Sequence, residues 1–357
     1  MVDQVFVVGT GRCGSTLVST LLRLHPQVTS ISEFMSFVSD LGCQVGTTFP
    51  EGDVDGLWLW RLISTRWPRQ NLMLRHDVAM EEVLYPFRDG KHRFNGETGV
   101  PAISQVTLPH LTRDPDGWLD ELEPIVKAFE PAPVGTQMRR LFEWLNGRHG
   151  GSVWVERSGG SLRIAHRLIE SFPEARFLHI VRDGRGTALS MSRHRGFKMV
   201  FACFQLLESL GCDPFVSADR RWEQDLPDDL AALLPERFHR QAFLDFETPP
   251  PLCGHYWSGE IIEGLSALDR LAPERLLTLR YEDFLDAPEE TIRKLIGYVL
   301  KSDGTRETAY VEQAKALVRV PTALWQNLNE GDREQLELAC KPGFAALAER
   351  GWTWPAS

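Results

Sequence analysis

Long apolar runs are missing from the 357-residue sequence: no stretch approaches the roughly 20 apolar residues that a membrane-spanning helix needs. The first residues also lack the basic segment followed by an apolar stretch that marks a secretory signal. We therefore expect no membrane span and no signal peptide, and we expect a cytoplasmic protein.

Cysteine is scarce and scattered. The six cysteines lie singly at positions 13, 43, 203, 212, 253 and 340, without a C-x-x-C pair or a Cys/His group at the spacing of a zinc site. This pattern is typical of reduced thiols rather than of a disulfide framework. The sequence predicts no metal site.

Positive charge is in deficit. The chain has 39 Lys and Arg against 49 Asp and Glu, which gives a net charge of −10. Proteins that wrap nucleic acid carry excess positive charge over a large surface, so we expect no nucleic-acid partner. A small basic pocket for a phosphate group is still compatible with this balance.

The rest of the composition is that of a globular protein with a sizeable core, because 43% of the residues are hydrophobic. No internal repeat, low-complexity segment or free linker divides the sequence. We expect one domain over residues 1–357, with two large insertions at about 34–150 and 195–255. A homodimer is left open.

Alternating strand and helix patterns predict an α/β fold with a central parallel sheet flanked by helices. Residues 5–8 are typical of a buried parallel strand, and residues 14–24 have the apolar spacing of a helix. Residues 152–194 contain a strand followed by a helix twice in succession, which predicts two parallel strands that lie next to each other. A further strand is expected at 276–279.

A glycine-rich turn joins the first strand to the first helix, in the stretch VFVVGTGRCGST. Such a turn aims backbone N–H groups and the positive end of the helix dipole at one point, which favours an anion. Hydroxyls and a guanidinium add donors there. A tight turn without a ligand is the alternative. The candidate phosphate-binding residues of the turn are Gly11, Arg12, Cys13, Gly14, Ser15 and Thr16.

The turn lacks the Gly-Lys-Ser/Thr ending of a nucleoside triphosphatase loop. The spacing of Gly9, Gly11 and Gly14 also fits a dinucleotide-binding fingerprint. That fingerprint needs an acidic residue about 20 residues further on, after a second strand. Glu33 lies at this distance, but the stretch QVTSIS before it offers only a short, polar candidate strand.

A second strand–helix boundary carries an arginine and a serine eight residues apart, in VRDGRGTALS. Arg182 follows the predicted strand directly, at the sheet edge where ligands of α/β proteins bind. Its guanidinium and the Ser190 hydroxyl together suit a phosphate. A structural ion pair between Arg182 and Asp183 is the alternative. Two such strand ends in one sheet indicate a ligand with two separated phosphate groups.

In these two motifs the sequence resembles the sulfotransferases that use 3′-phosphoadenosine 5′-phosphosulfate (PAPS). GTGRCGST is similar to their 5′-phosphosulfate loop in its bacterial form, with arginine in place of lysine, and VRDGRGTALS is similar to their 3′-phosphate motif. RLLTLRYEDFLDAPEETIRKLIGYVL resembles the segment whose tyrosine, here Tyr281, lies near the adenine. LWQNLNEGDREQLELACKPGFAALAERGW resembles the C-terminal helix. The resemblance covers about half the chain.

The resemblance implies a transferase that uses PAPS as donor, releases 3′-phosphoadenosine 5′-phosphate (PAP) and needs no metal. It implies that Arg12 is catalytic, because this residue would stabilise charge on the leaving phosphate. Ser15 and Thr16 would hold the phosphosulfate. Arg182 and Ser190 would hold the 3′-phosphate and so position the donor.

The general base departs from the commonest pattern of the family. Many members carry Lys-Thr-His on the strand before the second motif, whereas VERSGG here has Arg157, Ser158 and then glycine. Other members use a glutamate a few residues beyond the first helix, which makes Glu33 the candidate base. Glu156 is a second candidate. The histidines at 25 and 179 are read as structural residues at a helix end and in a strand.

The resemblance implies in-line transfer of a sulfuryl group to a hydroxyl or amine. We expect a small-molecule, lipid or natural-product acceptor, and the tryptophans of the first insertion favour an apolar or ring-shaped one. Two alternatives stay open. One is a P-loop kinase-like phosphotransferase, although the loop lacks the lysine that a kinase needs. The other is a non-catalytic module that binds PAP.

Overall fold

The computed structural model describes residues 2–302, 304, 307–320 and 324–355. Five strands form a parallel sheet, and two short strands pair antiparallel beside it. The strands are β1 (Asp3–Val8), β2 (Val28–Ser32), β3 (Asp53–Val54), β4 (Ala132–Pro133), β5 (Val153–Arg157), β6 (Arg176–Val181) and β7 (Leu276–Arg280).

Helices cover both faces of the sheet and form most of the two insertions. In chain order they are α1 (Ser15–Arg23), α2 (Phe34–Val38), α3 (Val45–Thr48), α4 (Gly56–Ser64), α5 (Pro68–Arg75), α6 (Ala102–Gln105), α7 (Thr107–Leu111), α8 (Pro115–Lys127), α9 (Val134–His149), α10 (Ala165–Ser171), α11 (Gly184–Ser192), α12 (Arg195–Leu210), α13 (Asp228–Ala231), α14 (Arg240–Asp245), α15 (Pro250–Leu268), α16 (Tyr281–Asp286), α17 (Pro288–Leu300), α18 (Thr308–Lys315) and α19 (Glu330–Ala348). Within the described ranges, no helix is long and apolar enough to cross a membrane.

The predicted fold class is confirmed: the main sheet is parallel, in the order β2-β5-β1-β6-β7. The prediction that β5 and β6 are neighbours is wrong, because β1 lies between them. Val5 pairs with Val155 on one side and with Arg176 on the other. Residues 5–8 of β1 are fully buried. This burial agrees with the central position of β1, because neighbouring strands lie on both of its sides and helices cover both of its faces. The sequence patterns identify the individual strands, but they do not determine the order of the strands in the sheet.

The polar stretch before Glu33 is a fully formed edge strand, β2, parallel to β5. Its hydroxyls are buried because they have partners: Ser30 Oγ lies 2.9 Å from Ser19 Oγ, and Ser32 Oγ accepts a hydrogen bond from Arg157. β2 pairs with β5 rather than with β1. In the dinucleotide-binding order the second strand pairs with the first, so this sheet does not have that arrangement.

The core lies on both sides of the sheet. Phe6, Trp154 and Phe177 form an aromatic group on one face, covered by α9 and α15. Val5 and Val7 point to the other face, which α1 and α17 cover. These layers fix the carboxyl edge of β1, β5 and β6, where the predicted motifs meet.

Candidate functional site

The glycine-rich turn occupies residues 9–14, between β1 and α1. Gly14 has a φ of 97°, and a Cβ there would lie 2.2 Å from the ring of Tyr281. Glycine is therefore required both by the backbone and by the close approach of the tyrosine. Arg12 also lies in the left-handed region, with a φ of 55°, which is uncommon for a residue with a side chain.

Helix α1 begins directly after the turn at Ser15, and its N-terminus has no side-chain cap among the described residues. The first N–H groups of a helix lack partners within the helix, so this end suits an anion. Thr16 is exposed beside it, and Ser15 is buried. Cys13 packs in the core, where burial raises the pKa of its thiol. Cys13 therefore offers a ligand its backbone, not its sulfur.

The structure brings the two predicted phosphate motifs together. Arg12 Nε donates to Ser190 Oγ at 3.2 Å, and an Arg182 NH group donates to the Arg12 carbonyl at 3.1 Å. The Arg182 guanidinium also lies over the ring of Tyr281, 4.7 Å from its centroid. Asp183 pairs with Arg185 and caps α11. The ion-pair partner of Asp183 is therefore Arg185, and not Arg182 as in the alternative interpretation.

Glu33 follows β2 and faces the same edge of the sheet. Its φ is 55°, so this residue also has a left-handed backbone. One carboxylate oxygen forms an ion pair with Arg157, and the other accepts from the Gly159 N–H at 2.9 Å and the Ser36 hydroxyl at 2.8 Å. A carboxylate offers about four lone-pair positions, so these three donors orient Glu33 and leave room for one more.

A cleft opens in front of these residues. Its inner wall is the glycine-rich turn and the segment after β5, and its outer walls come from the two predicted insertions. The five tryptophans of residues 58–144 pack against the core, and in the described part of the chain none of them lines the cleft. The lining residues include Gly11, Arg12, Ser15, Thr16, Glu33, Met35, Ser36, Phe37, Leu41, Met80, Glu82, Gly159, Arg163, Ile164, His194, Phe197, Val200 and Tyr256.

The sequence patterns do not identify two polar residues of the cleft, Glu82 and His194. His194 Nε2 lies 3.1 and 2.9 Å from the two carboxylate oxygens of Glu82, and Arg12 donates to Glu82 at 3.0 Å. Burial acts to raise the pKa of Glu82. The hydrogen bond from His194 and the positive charges of His194 and Arg12 outweigh burial and lower the pKa to about 2. Glu82 is therefore an ionised carboxylate.

The other candidate residues lie outside the cleft. Glu156 is fully buried, and burial raises its pKa to about 7. It accepts hydrogen bonds from the Ser158 hydroxyl and the Met35 N–H. His25 bonds Glu307 at the end of α1, and His179 is buried in β6, where burial lowers its pKa to about 4. The two histidines lie at the predicted places, a helix end and a strand, and neither lines the cleft.

A family model described as the sulfotransferase family matches residues 4–252. The chain belongs to the sulfotransferase family. The matched range includes the insertion at 34–150, which the sequence resemblance did not reach, and it ends before the tyrosine segment around Tyr281.

Solved structures similar to this sulfotransferase share little sequence with it. A sulfotransferase domain from the curacin biosynthetic pathway has 12% identity and a TM-score of 0.48, covering 99% of each chain. A sulfotransferase from Alicyclobacillus acidocaldarius has 14% identity and a TM-score of 0.41, covering 98% of this chain and 95% of that one. Retinol dehydratase, in a complex with androsterone and PAP, has 12% identity and a TM-score of 0.33, covering 98% and 82%. No curated protein sequence matches the chain.

Proposed function

We propose that this sulfotransferase takes its sulfuryl group from PAPS and transfers it to a hydroxyl or amine of a small-molecule, lipid or natural-product acceptor, releasing PAP. In this proposal residues 1–357 act as one domain. The core of the sheet holds the donor, and the insertions at about 34–150 and 195–255 enclose the acceptor.

One observation carries the proposal: the two motifs that suit separate phosphate groups lie at one edge of the sheet. Arg12 contacts Ser190, and Arg182 contacts both the Arg12 carbonyl and Tyr281. The residues present fit a nucleotide with phosphates at two positions, because guanidinium groups, a hydroxyl and an uncapped helix N-terminus lie close together. The ring of Tyr281 offers an aromatic surface beside it.

Each residue then has a separate task. Arg182 and Ser190 hold the 3′-phosphate and fix the donor, with Tyr281 beside the adenine. Gly11, Cys13 and Gly14 direct backbone groups at the 5′-phosphosulfate, and Ser15 and Thr16 add hydroxyls. Arg12 and the loop N–H groups stabilise the negative charge that develops on the 5′-phosphate oxygen.

Glu33 is the proposed general base. It accepts the proton of the acceptor hydroxyl or amine while that oxygen or nitrogen bonds to sulfur and the bond from sulfur to the phosphate oxygen breaks. PAPS supplies the sulfuryl group, and PAP carries away the electron pair of the broken bond. Arg157 holds Glu33 in place at the cleft, as supported by their buried ion pair.

The cleft favours an acceptor with an apolar body. Its lining includes the apolar side chains of Met35, Phe37, Met80, Phe197 and Val200, together with the polar group of Arg12, Glu82 and His194. An acceptor would therefore place its reacting group among the polar residues and its hydrocarbon part against these side chains.

Calorimetric titration tests the donor site. We expect PAP to bind much more tightly than adenosine 5′-monophosphate (AMP), because only PAP fills the 3′-phosphate position. We expect PAP, rather than ATP or NAD, to raise the melting temperature, since only a ligand of the folded state stabilises it. Arg182→Ala should weaken PAP binding by about 10- to 100-fold, the usual effect of losing a hydrogen bond to a charged group, and should change AMP binding little.

Arg193→Ala is the matched control, because Arg193 is an exposed arginine just after α11. Equal affinity of the wild-type protein for PAP and AMP would contradict the donor site. Transfer itself is tested by incubating cell extracts with the protein and PAPS, and by searching the mass spectrum for molecules that gain one SO3 group. PAP binding without any such product would favour a non-catalytic binding module.

A further inference from the structure

The guanidinium of Arg12 has a second partner that the proposed function does not use. Its Nε bonds Ser190, and an NH group bonds Glu82 at 3.0 Å. Glu82 belongs to the insertion at 34–150, so it reaches Arg12 from the opposite side of the cleft. The side chains of Arg12 and Glu82 are 27% and 17% exposed, so the pair is partly shielded from water.

The carboxylate of Glu82 has its own support in His194. The imidazole Nε2 lies within 3.1 Å of both carboxylate oxygens. His194 follows α11, the helix that carries Ser190, and it packs against the ring of Phe197 at 5.8 Å between ring centres. Glu82 therefore keeps a partner even when Arg12 moves away, and no unpaired carboxylate is left partly buried.

We propose that Glu82 is a positioning residue that holds the Arg12 guanidinium until the donor binds and is then displaced by the phosphosulfate of the donor. This inference rests on the proposed function. A carboxylate and a phosphosulfate are both anions that bind through oxygen atoms to the same NH groups of one arginine. Binding of the donor therefore exchanges one anion for the other, and Glu82 weakens the net affinity for the donor.

The exchange also sets the order of binding. While Arg12 bonds Glu82, the pair lines the cleft among the polar residues where the acceptor would place its reacting group. Donor binding removes Arg12 from this position and leaves Glu82 on His194, where Glu82 still lines the cleft. The donor therefore binds before the acceptor, and Glu82 then accepts a hydrogen bond from a polar group of the acceptor.

A double-mutant cycle with PAP as the probe tests the exchange. Glu82→Gln keeps the size of the side chain but removes its charge, so PAP should bind about 10-fold more tightly than to the wild-type protein. In an Arg12→Ala background, titrated at higher PAP concentration, Glu82→Gln should not change PAP affinity. Without the Arg12 guanidinium, Glu82 has no group for which it competes with PAP. Glu81→Gln is the matched control, since Glu81 is the exposed neighbour.

A second variant distinguishes the effect of the direct contact between Glu82 and Arg12 from the effect of the negative charge of Glu82. Glu82→Asp keeps the charge but withdraws it from Arg12, so it should also tighten PAP binding, by less than Glu82→Gln. Unchanged or weaker PAP binding by Glu82→Gln would overturn the inference and leave the proposed function intact. Equal tightening with and without Arg12 would overturn it as well, because the effect would then be general electrostatics. Failure of the wild-type protein to bind PAP would contradict the proposed function and this inference together.

Discussion

Two residues of the candidate site keep side chains in a backbone conformation that usually favours glycine. Arg12 and Glu33 both have a φ of 55°. A residue held in this region costs about 1–3 kcal/mol and persists only where its surroundings fix it. For Glu33 those surroundings are Arg157, Gly159 and Ser36, which together set the direction of the carboxylate. Such strain is typical of a site that needs a side chain at one defined point.

Glu33→Gln tests the proposed base. Glutamine keeps the size and a hydrogen-bonding oxygen but cannot accept the acceptor's proton, so we expect kcat to fall by about 100-fold or more. PAP binding should stay near the wild-type value, because the residues proposed to hold the donor are other ones. The measurement is steady-state sulfuryl transfer from PAPS, together with calorimetric titration of PAP.

Glu156→Gln is the control for this change. Glu156 is a buried glutamate close to Glu33, but it lies outside the cleft and bonds Ser158 and Met35. Its substitution should leave kcat within a few-fold of the wild-type value. A Glu33→Gln protein with normal turnover would remove Glu33 from the role of base.

The individual residues of the site differ in how far the sequence predicts them. Arg12, Arg182 and Ser190 stand at fixed offsets from strand ends, so spacing alone brings them to one edge of the sheet. Glu82 lies in a stretch of irregular structure, and no periodicity or spacing relates it to Arg12. His194 had a weak signal, because it lies four residues after Ser190, about one helical turn further on.

At the scale of elements, one tryptophan connects the helix that carries Ser190 to two others. Trp257 of α15 is fully buried between Gly184 of α11 and Gly343 of α19. A Cβ at either glycine would lie 2.5 Å from the indole ring. The absence of both side chains therefore lets the three helices pack closely.

The two glycines provide a matched pair of substitutions. Gly184→Ala and Gly343→Ala both force an overpacked contact with the same ring, which typically costs about 1–3 kcal/mol. We expect each to lower the melting temperature by about 2–10 °C. Only Gly184→Ala displaces the helix that bears Ser190, so only this variant should also weaken PAP binding. Equal loss of PAP affinity in both variants would show that displacement of α11 is not the cause of the weaker PAP binding.

The elements themselves were predicted unevenly. Strands β1, β6 and β7 and helix α1 follow from apolar runs and helical spacing. β2 was underestimated because its Thr and Ser residues are polar, although hydrogen bonds with Ser19 and Arg157 allow their burial. For residues 195–255 the sequence predicts only an insertion, and no helix was assigned there, yet α12 extends over 16 residues. The neighbours of β5 were misjudged because the order of parallel strands depends on long-range packing.

At the scale of the whole molecule, a buried glutamate makes stability depend on pH. Glu260 of α15 is 5% exposed, and its nearest cation, Arg163, lies 3.6 Å away. Burial raises the pKa of Glu260 to about 7 from its ordinary 4.5, although the charge of Arg163 acts in the opposite direction. Between these two pH values the unfolded chain releases a proton that the folded protein keeps. The contribution of Glu260 to stability therefore falls as pH rises from about 4.5 to about 7.

Glu260→Gln should remove this dependence. We expect the free energy of unfolding of the wild-type protein, relative to that of the variant, to fall by on the order of 3 kcal/mol between pH 4.5 and pH 8. Urea unfolding of both proteins at several pH values measures the difference. Glu274→Gln, at an exposed position after α15, should follow the wild-type profile. Parallel profiles for wild type and Glu260→Gln would mean that Glu260 ionises normally in the folded protein.

The walls of the cleft come from different parts of the chain. The glycine-rich turn supplies Arg12, and the predicted insertion at 34–150 supplies Met35, Phe37, Met80 and Glu82. Under the proposed function, exchange of such an insertion during divergence of the family changes the acceptor while the proposed nucleotide site stays unaltered. Glu82 breaks this independence, because it belongs to the insertion and touches Arg12. A chimera that exchanges residues 34–150 between relatives would therefore change its affinity for the nucleotide together with its acceptor.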